Sequence, residues 1–175
     1  MKTDPHLMAP THIVHPWPPI YDARSKVLIL GSIPSPKSRE YGIYYGNPQN
    51  CFWTILAFVL EQEAPPPDRQ SRIAFLLRNR IALWDVLHSC DICGASDGSI
   101  KNPVVNNFTR LLEETQISKI FTTGKIATNL FNNECTRATG FTAEYLPSTS
   151  PANRAMHNKP SFIARWKLVA AALKI

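Results

Sequence analysis

Short runs of branched apolar residues alternate along the chain with stretches in which apolar residues recur every three or four positions. The short runs are typical of strands buried on both faces, and they predict four strands: Lys26–Leu30, Ile81–Leu87, Ile117–Thr122 and Thr142–Leu146. The longer stretches predict five helices: Phe52–Leu60, a helix capped by Asp68 that carries Ile73, Leu76, Leu77 and Arg80, Val105–Glu114, Lys125–Asn132, and a helix capped by Ser161 that runs to Lys174. This alternation predicts an α/β fold whose parallel sheet is covered on both faces.

Three stretches have neither pattern. Residues 1–25 are rich in proline and predict an arm without regular structure, which Ile13, Trp17 and Tyr21 hold on the domain because disordered tails contain few aromatics. His12 and His15 in this arm are expected to be surface or packing histidines. Residues 88–104 and Pro147–Pro160 predict long loops, which usually have a function in a compact domain. The chain therefore divides into a proline-rich N-terminal arm, 1–25, and a single domain, 26–175.

The most informative stretch runs from Val27 to Trp53. Its apolar strand breaks at Gly31, and Pro34 and Pro36 are expected to keep the following loop from forming either strand or helix. A loop of fixed shape at the carboxyl end of a core strand is where ligands bind in open α/β sheets. The residues that follow suit a flat ligand with polar edges: Tyr41, Tyr44, Tyr45, Asn47, Asn50, Phe52 and Trp53.

Composition limits the class of protein. The chain has 175 residues, of which 44% are hydrophobic, and this is enough for one domain with a sizeable core. Its formal net charge of +6 favours a polyanionic partner, because neutralising phosphates releases counterions. No apolar run is long enough to span a membrane, and the N-terminal sequence has no apolar core of a signal peptide. We therefore expect a cytoplasmic protein.

The cysteines do not indicate a metal site. Cys90 and Cys93 are close to each other and to His88, but zinc requires four ligands, and a second close pair is missing. Ordinary free thiols are the expected state in a reducing compartment. A protein that binds a free mononucleotide is disfavoured because the chain has no glycine-rich phosphate loop. We expect neither a metal nor another cofactor.

Two motifs about a hundred residues apart carry a family resemblance. The first is G-S-I-P at 31–34 with Tyr-Tyr at 44–45 and P-x-N-x-F-W at 48–53, and the second is LPSTSPAN at 146–153. Together with IALWDVL at 81–87 they resemble the uracil-DNA glycosylase superfamily, closest to its hypoxanthine-DNA glycosylase branch. The resemblance implies a three-layer α/β/α sandwich around a four-stranded parallel sheet. Its active cleft would gather Gly31–Phe52, Asp85 and Pro147–Asn153 along one sheet edge.

The resemblance also implies which residues hold the base. Phe52 would stack on it, with a plain core phenylalanine as the alternative. Ser32, Ile33 and Pro34 would line the pocket, and of Tyr44 and Tyr45 one would line it while the other packs. Asp85 would accept a hydrogen bond from a base N–H, unless it only binds backbone N–H groups. Ser35 and Asn47 depart from the glycine and histidine common in this branch.

At the positions of the catalytic groups, the chain departs from the family pattern twice. Ile33 stands where many members have an asparagine or aspartate that positions water, and Leu146 stands where several have a histidine that stabilises the departing base. Asn50 corresponds to an asparagine implicated in catalysis in the hypoxanthine branch, with a helix cap as the competing role. Ser148 and Ser150, through their hydroxyls or backbone N–H groups, could replace the histidine.

The second loop is also expected to meet DNA. By resemblance residues 147–154 press into the minor groove, with Thr149, Pro151, Asn153 and Arg154 as contacts, although an arginine here is as often merely solvated. Lys37 and Ser38 would contact DNA from the first loop. A Schiff-base role for Lys37 is disfavoured because it requires a desolvated amine.

These inferences lead to one hypothesis and one rival. The hypothesis is a monofunctional DNA glycosylase, acting as a monomer on DNA that contains deaminated bases, which excises hypoxanthine or uracil and so initiates base excision repair. The rival, motivated by Ile33 and Leu146, is a catalytically weak or inactive module that recognises modified bases without releasing them.

Overall fold

The computed structural model describes residues 9–174. The strands are β1 Thr11–Val14, β2 Val27–Gly31, β3 Ile81–Asp85, β4 Leu87–Ile92, β5 Lys101–Val105, β6 Lys119–Thr123 and β7 Glu144–Leu146. The helices are α1 Pro36–Tyr41, α2 Phe52–Val59, α3 Arg69–Arg78, α4 Thr109–Glu113, α5 Lys125–Glu134, α6 Thr136–Thr139 and α7 Pro160–Leu173. Two 3-10 turns lie at Asp97–Ser99 and Pro151–Met156.

The central sheet is parallel and has four strands in the order β3-β2-β6-β7. Every residue of β2 is buried, as the branched apolar run predicts. Gly31 pairs with Asp85, so the last residues of β2 and β3 lie side by side at the carboxyl edge. The predicted fold class is confirmed, and the strand ends meet where the sequence places its candidate residues.

Successive residues of the strands supply two separate cores. Val27 and Ile29 pack with α2, α3 and α7 on one face, while Leu28 and Leu30 pack with α4 and α5 on the other. Successive side chains of a strand point to opposite faces of a sheet, and here both faces are covered by helices. No helix within residues 9–174 is both long enough and apolar enough to cross a bilayer.

A second sheet, with three antiparallel strands in the order β1-β4-β5, was not predicted. The prediction of a continuous loop over 88–104 is wrong, and so is the prediction that the whole arm lacks regular structure, because Thr11–Val14 pairs with β4. The polar composition of β5 hid it, and its Pro103 is tolerated because β5 is an edge strand. The expected packing of Ile13, Trp17 and Tyr21 on the domain is confirmed.

Several predicted boundaries are also corrected. Pro36 does not prevent a helix but occupies the first turn of α1, where its missing N–H costs nothing, and Ser35 caps that helix by accepting the Ser38 N–H. The predicted strand Ile81–Leu87 ends at Asp85. Helix α4 begins at Thr109 because Val105 belongs to β5. Helix α7 begins at Pro160 after Lys159, so Ser161 is not its cap.

Candidate active site

A cavity of about 660 Å³ opens at the carboxyl edge of the central sheet. Its wall combines the three segments that the sequence predicts with two that it does not. The lining segments are 31–38, 44–50 in part, Asp85, 95–97, 123–126 and 145–153 in part. Phe52 and Arg154 are the two predicted site residues that are not at this wall. The predicted site residues that line it are Ser32, Ile33, Pro34, Lys37, Ser38, Tyr44, Tyr45, Asn50, Asp85, Ser148, Thr149, Ser150, Pro151 and Asn153.

Tyr45, not Phe52, presents an aromatic ring to the cavity. Phe52 is fully buried, and the Tyr45 ring lies parallel to it at 3.8 Å between centroids. The Tyr45 hydroxyl is 3.0 Å from Thr123 Oγ1, and its backbone has a φ of 50°, unusual for a residue with a side chain. The prediction that Phe52 itself stacks on a base does not fit this geometry, because the Tyr45 ring covers Phe52 and is the ring that faces the cavity.

Tyr44 packs in the core, as expected for one member of the pair. It is 2% exposed, its hydroxyl donates to the Pro18 carbonyl, and its ring meets Trp17 edge-on at 5.0 Å. Burial and the nearby Asp85 carboxyl raise the pKa of Tyr44 far above its ordinary value, so it stays a neutral phenol. Tyr44 thus anchors the N-terminal arm beside the cavity.

Asp85 is held by a histidine that sequence reasoning treated as a surface or packing residue. His15 Nε2 lies 2.7 Å from Asp85 Oδ2, and both side chains are at most 5% exposed. His15 Nδ1 accepts the Trp17 N–H, so the proton is on Nε2 and is donated to Asp85. Within residues 9–174, Asp85 Oδ1 has no hydrogen-bond partner, and it lies directly over Gly31.

Asn50 has a structural contact and an available donor. Its Oδ1 accepts the Phe52 N–H at 3.0 Å and so begins α2, although Cys51 occupies the cap position itself. The predicted capping role is therefore present in modified form. The Asn50 amide NH2 group has no acceptor in the described part of the chain, and it is this group that can bond a ligand in the cavity.

The second motif loop is held in shape by its own polar groups. Ser148 Oγ accepts the Ser150 N–H, Ser150 Oγ accepts the Ala152 N–H, and Asn153 Nδ2 donates to the Ser148 carbonyl. Trp166 Nε1 donates to the Pro147 carbonyl from below. The backbone N–H groups of Ser148 and Thr149 donate to no acceptor within residues 9–174. They remain available for a negatively charged ligand atom.

The predicted DNA contacts separate into two groups. Lys37 and Arg154 are exposed, as a phosphate contact requires. Ser38 is 4% exposed and its hydroxyl accepts the Gly46 N–H, while Thr149 is 1% exposed and its carbonyl accepts the Cys51 N–H. The predicted contacts of Ser38 and Thr149 with DNA are therefore corrected, because both side chains are buried.

Leu146 and Ile33, which stand where the resemblance leads one to expect polar side chains, both make apolar contacts. Leu146 is fully buried in the core beside α7 and does not reach the cavity. Ile33 packs with Ile13, Leu87 and Ile92, so it joins the motif loop to the second sheet. The same sheet brings Asp97, which sequence reasoning missed, to the cavity wall.

No group of three or more histidine, cysteine, aspartate or glutamate side chains within residues 9–174 could hold a metal ion. All four cysteines are free thiols. Burial raises the pKa of Cys51, Cys90 and Cys135 to about 11 each, so these thiols are largely protonated at neutral pH.

Comparison with known proteins places the chain among DNA glycosylases. Residues 18–172 match the uracil DNA glycosylase superfamily. A hypoxanthine DNA glycosylase of Methanosarcina barkeri is 33% identical over 145 residues, and one of Methanosarcina acetivorans is 32% identical over 139 residues; each alignment covers 79% of this chain and 87% of the relative. The solution NMR structure of a candidate uracil DNA glycosylase from Methanosarcina acetivorans superimposes with a TM-score of 0.77 at 29% identity, covering 94% of this chain and 100% of that one.

Proposed function

The chain belongs to the uracil DNA glycosylase superfamily, and on that premise we propose that it excises hypoxanthine from DNA by hydrolysing the N-glycosidic bond. The observation that carries the choice of a deaminated base is the Asp85 carboxyl, which is fixed by His15 and keeps Oδ1 available at the cavity. The choice of hypoxanthine over uracil is supported by the curated relatives named hypoxanthine DNA glycosylase.

Asp85 distinguishes deaminated bases from their parents by one hydrogen atom. Hypoxanthine has an N–H at ring position 1, where adenine has a lone pair, and uracil has an N–H at position 3, where cytosine has a lone pair. A fixed carboxyl oxygen accepts the ring N–H of hypoxanthine or uracil, and it repels the ring lone pair of adenine or cytosine. Guanine shares the N–H, but its stable pairing with cytosine opposes extrusion from the duplex. We expect hypoxanthine as the main substrate and uracil as a weaker one.

The rest of the cavity supplies the other requirements of base removal. The extruded base stacks on the open face of Tyr45, a contact typically worth about 1–3 kcal/mol. As the glycosidic bond breaks, negative charge develops on the base. The Asn50 amide NH2 and the N–H groups of Ser148 and Thr149 are the donors that can stabilise it. An amide cannot act as a strong general base, so Asn50 acts as a hydrogen-bond donor here.

The chemistry is hydrolytic and needs no lysine nucleophile. Lys37 is at the cavity but pairs with Glu40 at 2.9 Å, and this hydrogen bond raises the pKa of the Lys37 amine. A Schiff base requires the opposite shift.

The test is incubation of the purified protein with duplex and single-stranded oligonucleotides that contain hypoxanthine, uracil, xanthine or mismatched thymine, followed by cleavage of abasic sites with alkali. We expect strand cleavage at hypoxanthine first and at uracil next, and strongly reduced cleavage by the Asn50→Ala variant despite near-normal folding. Absence of product from every oligonucleotide would refute the proposal. Tight binding to modified DNA without product would instead establish the rival binding module.

A further inference from the structure

Asp97 is a second carboxyl group in the cavity, and the proposed function above does not use it. It begins the 3-10 turn Asp97–Ser99 between β4 and β5, and residues 95–97 form part of the cavity wall. The Ser32 hydroxyl, at the carboxyl end of β2, donates to Asp97 Oδ2 at 2.6 Å. This distance lies at the short end of the range for O–H···O hydrogen bonds. Asp97 Oδ1 has no partner within residues 9–174.

The surroundings of Asp97 make it a stronger base than an ordinary aspartate. Burial raises its pKa, the Ser32 hydrogen bond lowers it, and the nearby Asp85 carboxyl raises it further. Asp97 also interacts electrostatically with the Tyr45 phenol and the Cys90 thiol of β4, and both are neutral near pH 7 because burial raises their pKa. Lys37, Lys125 and Tyr145 line the same cavity. A carboxylate with a raised pKa, held in a cavity, is better suited to accept a proton than an ordinary aspartate.

The position of Asp97 compensates for Ile33. Ile33 cannot hold water, and its side chain packs against β1 and β4 of the second sheet. The turn that follows β4 brings Asp97 to Ser32, which is the residue next to Ile33. Given the proposed glycosylase function, we propose that Asp97 is the carboxylate that holds and deprotonates the attacking water.

The step balances as a hydrolysis. The bond between the sugar C1′ and the base nitrogen breaks, and its electron pair leaves with the base. The water oxygen bonds to C1′ of the positively charged sugar, and the water gives a proton to Asp97. The base anion takes up a proton, and Asp97 returns its own to solvent. A negative Asp97 also stabilises the cationic sugar, as carboxylates do in other glycosidic bond hydrolyses.

The competing explanation is that Asp97 only fastens the turn to β2 through Ser32. Asp97→Asn separates the two, because an amide oxygen can still accept the Ser32 hydroxyl but cannot take a proton from water. We expect this variant to lose at least about 100-fold in the single-turnover rate of hypoxanthine release, with unchanged affinity for DNA that carries an abasic-site analogue. Asp91→Asn is the matched control, since Asp91 lies on β4 outside the cavity and bonds His12 and Asn102.

The pH dependence provides the second readout. The wild-type rate should rise with pH through one deprotonation, above the ordinary aspartate range, and Asp97→Asn should abolish this dependence. Ser32→Ala should move it to higher pH, because the Ser32 bond lowers the pKa of Asp97, and it should retain more activity than Asp97→Asn. An active wild type whose rate does not depend on pH in this way would refute the role of Asp97. Equal losses of rate in Asp97→Asn and Ser32→Ala would also refute it, and so would a fully active Asp97→Asn. An inactive wild type would refute the proposed function instead.

Discussion

Three side chains at the cavity, Tyr45, Asp85 and Asn50, share one arrangement: each has one polar atom bound by the protein and another surface turned to the ligand. The Tyr45 hydroxyl is bound by Thr123, Asp85 Oδ2 by His15, and Asn50 Oδ1 by the Phe52 N–H. Side chains held in this way lose little further entropy when a base enters. The cavity is therefore shaped before DNA arrives.

His15 gives the first prediction. It contacts Asp85 and so acts on a base in the cavity only indirectly. His15→Ala leaves a buried carboxyl without its donor, so the free energy of unfolding should fall by about 1–3 kcal/mol. Excision of hypoxanthine should fall as well, while affinity for DNA without a modified base should not change. His15→Gln restores an N–H donor and should recover part of both losses. Single-turnover rates and urea unfolding measure these effects, and full activity of His15→Ala would contradict the role given to Asp85.

Tyr45 gives the second prediction. Tyr45→Ala removes the stacking surface and should slow hypoxanthine release by about 10- to 100-fold, which corresponds to about 1–3 kcal/mol of stacking. Tyr45→Phe loses only the bond to Thr123 and should remain close to wild type. Phe52→Ala should instead appear mainly as a loss of about 3–5 kcal/mol in unfolding free energy, because it empties a core position. If a folded Tyr45→Ala variant released hypoxanthine at the wild-type rate, Tyr45 would not be the stacking residue.

At the scale of elements, the site depends on how closely the ends of β2 and β3 approach each other. Gly31 pairs with Asp85 in the sheet, and the Asp85 carboxyl lies over the Gly31 Cα where a side chain would otherwise be. Glycine is needed here for this approach and not for an unusual backbone conformation. The close approach places Asp85 Oδ1, the oxygen proposed to accept the N–H of the base, at the cavity floor.

A substitution at Gly31 tests this element directly. A Cβ at position 31 would overlap with Asp85 Oδ1 and would come within 3.1 Å of the Tyr45 hydroxyl. Gly31→Ala should therefore displace both groups, lower hypoxanthine excision and cost about 1–3 kcal/mol of stability as an overpacked site. Gly98→Ala is the stability control, since a Cβ there meets nothing nearer than 4.0 Å. Thermal unfolding compares the two variants, and equal melting temperatures would contradict the predicted overlap.

The elements also show what the sequence could and could not predict. The central strands were predicted because a parallel strand that is buried on both faces is a continuous apolar run. Strand β5, KNPVV, has no such run, and its pairing with β4 depends on tertiary contacts. His15 and Asp85 are 70 residues apart, and Ser32 and Asp97 are 65 apart. No local pattern connects such pairs, so the motifs led to the cavity but not to His15 or Asp97.

At the scale of the whole molecule, the positive charges lie at both edges of the central sheet, and the cavity lies at one of them. The cavity and the exposed Lys37 lie at the carboxyl edge, and Arg154 follows the motif loop there. At the other edge, Lys26, Arg80 and Lys174 surround the ends of α2, α3 and α7. Cations there offset the negative ends of helix dipoles. The net charge of +6 therefore does not mark one continuous DNA surface.

The salt dependence of DNA binding tests this separation. Binding should weaken as salt rises, because phosphate contacts release counterions. Lys37→Ala and Arg154→Ala should each weaken binding to all sequences and reduce the slope of log K against log salt by about one. Lys174→Ala, at the opposite edge, should leave affinity and slope unchanged. Fluorescence anisotropy over a salt series measures both quantities, and an equal effect of Lys174→Ala would contradict the assigned DNA face.

The most direct test of the account is to measure free hypoxanthine released from a duplex that contains one deoxyinosine opposite thymine. The wild-type protein should release hypoxanthine in an amount that approaches the number of modified sites. It should release no adenine from the matched unmodified duplex, because at ring position 1 only hypoxanthine offers an N–H to Asp85, whereas adenine has a lone pair there. Stable binding of the modified duplex with no free hypoxanthine, or equal release of adenine, would contradict it.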